Sequence, residues 1–542
     1  MNPAVGIDLG TTNTVLAVQI DEFGPRILQV AQPVHQRNSF ERHNLLRSSV
    51  LFEPNKLAVV GQFASYHPDC YSSTKSLMGT RWSHRNEFYG EVTPSIVAAH
   101  VLRACFDELC QSYPDWDHCA AITVPASFNS DQRRDTFVAA RLAGFKHAYL
   151  LDEPVAAFYL YHDLHKDGSL FCESPYTLVF DFGGGTLDVS IIKVIADSCG
   201  TTLDTIGRSR YNNLGGDDVD RSLAAFFTGC WEFASGKDFA TLNASIKERF
   251  CRYLCLMSSQ YKEEMEHYLS DPEILPLAPT FRLDSTISGS QSQALKLNYE
   301  RRISEADYRA VADIFFDNRN EQNTFKPIAE AISLASKIDP DFSSDKLNLV
   351  LYTGGASRMS GVQRALKSKF HNKHCTPVTS NADACETVAQ GAAKFQYDRV
   401  RRGSVRLKTR LLESIFTRDQ NTGRYIELIP FDCVASEKFV PISREFWTQS
   451  PLITLRHPLF RGVSATDHQL WPMRPLEIPF DEVVPTGSRY SLAYKMAADK
   501  ELEILCSFSG GATSKITMGL DESIETHEIK TAKLFKVNSG RI

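Results

Sequence analysis

What the sequence lacks narrows its class first. It has no run of roughly 18 apolar residues, so no helical membrane span is expected. No basic segment precedes its first apolar run, and Asp8 interrupts that run, which argues against a secretory leader. The 13 cysteines are odd in number, scattered, and include no CxxC pair. Cys251 and Cys255 stand one helical turn apart with no second pair to complete a zinc site, so buried thiols in a reducing compartment, the cytoplasm, are expected. A net charge of −6 on 542 residues is too small and of the wrong sign for a nucleic-acid binder. Two familiar phosphate-loop patterns, GxxxxGK[ST] and GxGxxG, are missing as well. What remains is a chain with 43% hydrophobic and 23% charged residues, the balance of a globular protein of two to four domains.

The richest stretch is Thr177 to Val194, TLVFDFGGGTLDVSIIKV. Two apolar runs flank Asp181, Gly183, Gly184, Gly185 and Thr186, which predicts a buried β-hairpin. Packing alone does not require three consecutive glycines. Without Cβ atoms, successive backbone N–H groups can close on a phosphate. An acid just before such a turn suits Mg²⁺, which keeps most of its waters and takes few protein carboxylates. Val5 to Val18 repeats the plan, with Asp8, Gly10, Thr11, Thr12 and Asn13 between apolar runs. A third glycine turn, Gly354-Gly355-Ala356-Ser357-Arg358, follows the strand-like run Leu347 to Tyr352. Two Asp–Gly–Thr hairpins far apart in one chain predict a duplicated fold gripping a nucleotide phosphate between two lobes. Asp181-Phe182-Gly183 also spells a kinase DFG, but the upstream sequence nearest to a catalytic HRD loop is His84-Arg85-Asn86, which lacks the Asp.

These motifs resemble those of the DnaK-type, seventy-kilodalton heat-shock chaperones, within the wider class that includes actin and the sugar kinases. The likeness is strong over about residues 1 to 396 and weak beyond. It implies an α/β fold with a duplicated, actin-like, two-lobed ATPase domain over 1–396. It also implies a small all-β, sandwich-like domain over 412–542; where the family has an acidic, leucine-rich linker, residues 397–411 form a basic one instead. By the family pattern the catalytic lysine precedes a glycine by four residues, as Lys75 precedes Gly79, although Ser76 stands where the family carries Arg. Glu153 of the EPxAA segment would orient Mg²⁺ waters and the attacking water. Asp8 and Asp181 would hold Mg²⁺ mainly through water, with Thr186 completing the catalytic set. Gly10, Thr11, Thr12, Asn13, Gly183, Gly184 and Gly185 would cradle the phosphates of ATP or ADP. Gly215, Gly216, Glu263, Glu266, His267, Ser270, Gly354, Gly355, Arg358 and Asp383 would form the nucleoside side. Glu266-His267 replaces the family's Lys-Arg pair, so a guanidinium that would lie on the base is missing. Pro125 and Arg133 fit a segment implicated in communication between domains, or equally a strand end and a helix-surface charge.

The secondary-structure signals agree with this plan. A helix is predicted over Pro94 to Cys110, a strand over Ala120 to Val124, and a helix capped by Ser130 or Asp131 and stopped by Gly144. Helical segments run from Leu223 to Leu269, and a further helix ends at Phe395. The cluster Arg399, Arg401, Arg402, Arg406, Lys408 and Arg410 reads as a solvated basic linker rather than an anion-docking patch. Beyond it, Tyr490 to Met496 and Glu501 to Phe508 alternate around Asp499-Lys500 as a hairpin. No helical lid is expected after it.

The expected function is an ATP-binding and ATP-hydrolysing chaperone that couples Mg-ATP hydrolysis to binding of unfolded polypeptide. A J-domain co-chaperone and a nucleotide exchange factor are the implied partners, with a monomeric state and no nucleic-acid or membrane ligand. The alternatives are a nucleotide-binding co-chaperone or scaffold with little ATPase cycling, and a sugar kinase or phosphatase of the same superfold.

Overall fold

Both Asp–Gly–Thr stretches form antiparallel hairpins in the computed structural model. It describes residues 2–537, apart from 68, 166–173, 198–199, 211–212, 271–277, 289–293, 317–322, 380–383, 402–405, 420–421, 463, 466–469, 497–501, 512, 519–533 and 535. In the first lobe β1 (Ala4–Leu9) pairs with β2 (Asn13–Gln19). Strands β3 (Val50–Glu53) and β4 (Leu57–Val60) form a separate hairpin beside helix α1 (Pro94–Ser112). β5 (Cys119–Val124), α2 (Ser130–Ala143), β6 (His147–Asp152) and α3 (Glu153–Leu164) complete this lobe. Its sheet runs β6-β5-β1-β2 and ends on Arg26–Ile27, with β6, β5 and β1 parallel and the last two pairings antiparallel.

The second lobe repeats that order. β7 (Tyr176–Phe182) and β8 (Leu187–Asp197) are its hairpin, β9 (Gly200–Arg208) lies beside β8, and helices α4 (Gly216–Ser235) and α5 (Ala244–Ser270) follow. β10 (Leu347–Thr353) and β11 (His374–Pro377) add to β7 in parallel, giving β11-β10-β7-β8-β9. Two parallel then two antiparallel pairings thus occur in both lobes, and this is the duplication that the paired motifs predicted. Both hairpins carry apolar residues on both faces because helices cover both sides of each sheet. Each lobe closes its own core, one around Ile7, Val101 and Ile122, the other around Phe180, Phe227 and Val350.

Helix α6 (Ser360–Lys369) follows the third glycine turn, and α7 (Thr387–Arg401) returns to the first lobe, packing with α3 between the two sheets. There the crossing is tight. A Cβ on Gly391 would lie 1.9 Å from the Ala156 carbonyl oxygen, so only glycine permits this approach. Helix α7 passes the predicted end at Phe395 and stops at Arg401, because its Lys394 is buried between Asp163 and Asp398 and its Arg399 lies 4.1 Å over the Tyr149 ring. Helix α2 likewise differs at its start. Asn129, rather than Ser130 or Asp131, is the cap, exchanging hydrogen bonds with Gln132 in a capping box.

The basic stretch is not a solvated linker. Arg406–Lys408 forms β12, which pairs in parallel with β9 as an added strand of the second lobe's sheet. Arg410 holds both oxygens of Asp204, at 2.6 and 2.9 Å, and also reaches Asp432. Asp204 and Asp432 neutralise Lys408 and Arg410, while Arg399, Arg401 and Arg406 are exposed. Arg402 lies outside the described residues.

Among its described residues, the C-terminal region is built of strands and turns. Sheet β13 (Val440–Trp447), β14 (Arg489–Met496), β15 (Leu502–Phe508), β16 (Thr513–Met518) is antiparallel throughout. Its predicted face of Tyr490, Leu492, Tyr494, Met496, Leu502, Ile504, Cys506 and Phe508 is buried, sharing a core with a second sheet built on Ser414–Arg418 and Leu459–Gly462. The turn residues Asp499 and Lys500 lie outside the described residues. This region rests on α2, where Arg474 N–H donates to Asp131 at 2.8 Å and its guanidinium meets Asp135 at 3.1 Å. A further strand, β17 (Lys536–Val537), crosses back to pair with β4, and Val537 joins the first lobe's core.

Candidate functional site

The two hairpin turns, the lysine segment and the third glycine turn meet at one cleft of about 540 Å³. Asp8, Gly10, Thr11, Thr12 and Asn13 line it from the first lobe, Asp181, Gly183, Gly184 and Thr186 from the second. Lys75 and Glu153 line its floor, and Gly216, Glu263, Glu266, His267, Ser270, Gly354, Gly355 and Arg358 its outer end. Gly185 and Gly215 lie directly behind this wall: a Cβ on Gly185 would meet Thr11 at 2.7 Å, and one on Gly215 the Gly184 oxygen at 2.2 Å. Asp383 lies outside the described residues.

The centre of the cleft is a buried charge cluster. Lys75, on the short 3-10 turn Thr74–Leu77, contacts Glu153 at 2.5 Å, and both side chains are buried. Glu153 opens α3, where the helix dipole favours its negative charge. Asp8 accepts from the Thr123 hydroxyl at 2.9 Å. Burial, then repulsion from Glu153, pushes the Asp8 carboxyl up to about 7 despite nearby Lys75. Asp181 is raised for the same reasons, first burial and then Glu153 and Asp8. Burial depresses the Lys75 ammonium, but Glu153, Asp8 and Asp188 outweigh it, so its pKa is raised.

Asp188 is a member that sequence reasoning missed. It sits on β8, accepts from the Ser127 hydroxyl at 2.7 Å, and is raised to about 6 by burial and then Glu153. Four carboxylates therefore surround one lysine, leaving unmet negative charge in a buried site. An all-oxygen set of this kind fits a hard cation such as Mg²⁺. Among the described residues no three His, Cys, Asp or Glu side chains converge at direct-ligand spacing.

The turns are fixed by backbone bonds. Gly183 N–H donates to Thr186 at 3.0 Å, and Gly216 and Asp217 N–H groups donate to Gly183 and Gly184 at 3.0 and 2.7 Å. Gly354 has φ +84°, and a Cβ there would fall 2.6 Å from an Asp181 oxygen, so this turn requires glycine on both counts.

The outer end differs. Glu266 borders the cleft, but its two oxygens accept from the Tyr308 hydroxyl at 2.9 Å and the Ser360 N–H at 2.7 Å. Glu263, His267 and Ser270 are exposed on α5, and the Ser270 hydroxyl donates to the His267 carbonyl at 2.8 Å. Lys262, which the sequence motifs did not single out, reaches into this end, held by Asp220 at 2.7 Å and donating to the Gly216 carbonyl at 3.1 Å. Arg133 is a buried ion-pair partner of Asp152 rather than a helix-surface charge.

Two lobes of one sheet plan, closed over paired glycine turns and a buried lysine–carboxylate cluster, define a two-lobed α/β cleft protein. The Hsp70 protein family model matches residues 71–416. The chaperone protein DnaK of Mycoplasmoides gallisepticum is 30% identical over 400 residues, covering 72% of this chain and 59% of that protein. The DnaK proteins of Guillardia theta and Cyanidioschyzon merolae are 30% and 27% identical over 427 and 421 residues, again 72% of this chain and 59% and 61% of theirs. The chain belongs to the Hsp70 family. It matches about three fifths of the length of these relatives. Among the described residues no helix is long and apolar enough to cross a membrane.

Proposed function

We propose that this protein is an ATP-binding and ATP-hydrolysing chaperone, with an actin-like ATPase domain over 1–396 and a sandwich-like polypeptide-binding domain over 412–542. The observation that carries the reading is the buried Lys75–Glu153 pair between the two glycine turns. Phosphoryl transfer to water needs positioning and charge neutralisation rather than a covalent step. Backbone N–H groups of Gly10 to Asn13 and Gly183 to Thr186 hold the β- and γ-phosphates. Lys75 steadies the γ-phosphate and Glu153 orients the attacking water. Asp8 and Asp181, joined by Asp188, would hold a hydrated Mg²⁺, which supplies neutralisation of phosphate charge. Glu263, His267, Ser270, Gly355 and Arg358 bound the nucleoside.

Client polypeptide docks on the C-terminal sheets, and a J-domain protein and an exchange factor drive the cycle of a cytoplasmic monomer. Among the described residues beyond 412 there is no helix. The test is single-turnover ATP hydrolysis with Mg²⁺, together with dissociation of a fluorescent unfolded peptide in ATP and in ADP. Slow hydrolysis with modest acceleration of release by ATP is expected. Nucleotide binding without hydrolysis would favour a scaffold, a reading that the occupied carboxylate of Glu266 and the imidazole of His267 in place of a guanidinium also suit.

A further inference from the structure

One residue outside the assigned site touches all three of its phosphate-side segments. Asp217 is the second residue of α4, in the second lobe. Its backbone N–H donates to the Gly184 carbonyl at 2.7 Å, pinning that lobe's own glycine turn. Its side chain points the other way, across the cleft. One carboxylate oxygen accepts from the Ser73 hydroxyl at 3.0 Å, and the second faces the Thr12 hydroxyl at 3.4 Å. Ser73 and Thr12 both belong to the first lobe. The space between the turns has no slack, since a Cβ on Gly184 would meet the Thr12 hydroxyl at 1.9 Å and an Asp217 oxygen at 3.4 Å.

The Ser73 contact has a second property. Ser73 has φ +54°, a left-handed conformation that costs a non-glycine residue energy and persists only when its surroundings impose it. It immediately precedes the turn Thr74–Leu77 that carries Lys75. Ser73 itself is tethered from the opposite lobe, by Asp217, so the backbone entering the lysine turn is held in a strained state by a bond that spans the cleft. The burial of that carboxylate is costly, and the Ser73 hydroxyl, the N-terminal end of α4 and the nearby Lys262 offset the cost.

We infer that Asp217 is a positioning residue that makes the placement of Lys75 conditional on lobe closure, and that its bonds to Ser73 and Thr12 form a latch that must break before nucleotide leaves. Closing the lobes sets the 73–77 turn, the Thr12 turn and the Gly184 turn in register together. Opening them frees Ser73 to relax and withdraws the lysine from the phosphate. The inference rests on the nucleotide reading for its catalytic half only, because the latch is a property of the protein itself.

The test uses the full chain with Ser73→Ala, Asp217→Ala, Asp217→Asn and the Ser73→Ala/Asp217→Ala double variant. Amide hydrogen exchange over residues 73–77, without nucleotide, is expected to speed up about tenfold in both alanine variants. Asp217→Asn, whose amide oxygen still accepts from Ser73, is expected to restore most of the protection. Dissociation of a fluorescent ADP derivative should accelerate by about five- to thirtyfold, and single-turnover hydrolysis should slow by a similar factor. The double variant should resemble Asp217→Ala, since Ser73→Ala removes only a bond that Asp217→Ala has already removed. Unchanged exchange over 73–77, or effects that add in the double variant, would overturn the latch. Faster exchange in the variants of a protein that neither binds nor hydrolyses ATP would leave the latch standing and sink the nucleotide reading instead. Should Asp217→Ala fail to fold, Ser73→Ala and Asp217→Asn decide the matter.

Discussion

The cleft between the lobes and the C-terminal β-region are built on opposite principles. In the cleft, charge is buried on purpose: Lys75, Glu153, Asp8, Asp181 and Asp188 share one site, and burial raises the carboxyl pKa values of three of them. In the C-terminal core the side chains are almost all apolar, and its buried His457 is satisfied by neutral contacts, the Thr417 and Tyr490 hydroxyls at 3.4 and 3.0 Å. An arrangement that opposes its own burial is retained for chemistry, whereas an apolar core needs only to exclude water. The junction combines both, with Arg410 tying Asp204 of the second lobe to Asp432 of the β-region.

The largest effect is expected from breaking the cleft. Lys75→Ala should slow single-turnover hydrolysis by about 10²- to 10³-fold while nucleotide affinity changes only a few-fold, because the lysine acts where charge develops. Hydrolysis at the wild-type rate would show the cluster to be structural.

Next comes the junction. Arg410→Ala leaves buried Asp204 with only the half-exposed Lys408 at 3.3 Å. Losing one partner of a buried pair costs about 3–5 kcal/mol, and the remaining lysine reduces that here to roughly 2–3 kcal/mol. Limited proteolysis should then cut near residues 397–412 at least tenfold faster, and high salt should reproduce part of the effect in the wild-type protein. Equal resistance in both proteins would mean that β12 pairing alone holds the junction.

Acid should sharpen the comparison. His100 in the first lobe and His457 in the β-region are both depressed to about 4 by burial. Each stays neutral in the folded protein while the unfolded chain takes a proton below about 6.5. Their contribution is therefore full above that pH and lost as pH falls toward about 4, on the order of 1–3 kcal/mol each. His457→Gln should flatten the pH dependence of the β-region's melting transition and leave the lobes' unchanged. A single transition that shifts as a whole would show that the two regions unfold together.

The smallest effect is expected at the outer end of the cleft. His267→Arg would place a guanidinium over the exposed outer rim, tightening ATP by about tenfold or less with little change in rate at saturation. Calorimetry giving equal or weaker affinity would show that the base does not lie there.

The paired hairpins were legible because glycine and acid at fixed spacing between apolar runs serve few purposes besides holding a phosphate and its cation. The alternating faces of β14 and β15 were legible on similar grounds, since a period of two belongs to strands. Asp188 was not, since a polar residue in a strand looks alike whether it faces solvent or a buried charge cluster. Asp217 stood in view as part of a helix-start motif, but its partners Ser73 and Thr12 are remote in sequence. Clustered arginines normally mark solvent, and only the long-range pairing with Asp204 turns residues 406–410 into docked structure. The extension of α7 to Arg401 likewise depends on Asp163 and Tyr149, which no local pattern announces.

The return of β17 to β4 has a consequence for how the protein assembles. Lys536 and Val537 pair with Leu57 and Ala58, so an edge of the first lobe waits for residues made late in synthesis. Until then the β3–β4 hairpin exposes an open strand edge and the pocket that Val537 fills, the kind of surface on which nascent chains join one another. A pairing this distant in sequence carries a large loop-closure cost and forms late. Folding of the first lobe therefore ends only when the β-region has been made and brought alongside. The order of synthesis and the order of completion run in opposite directions in this chain.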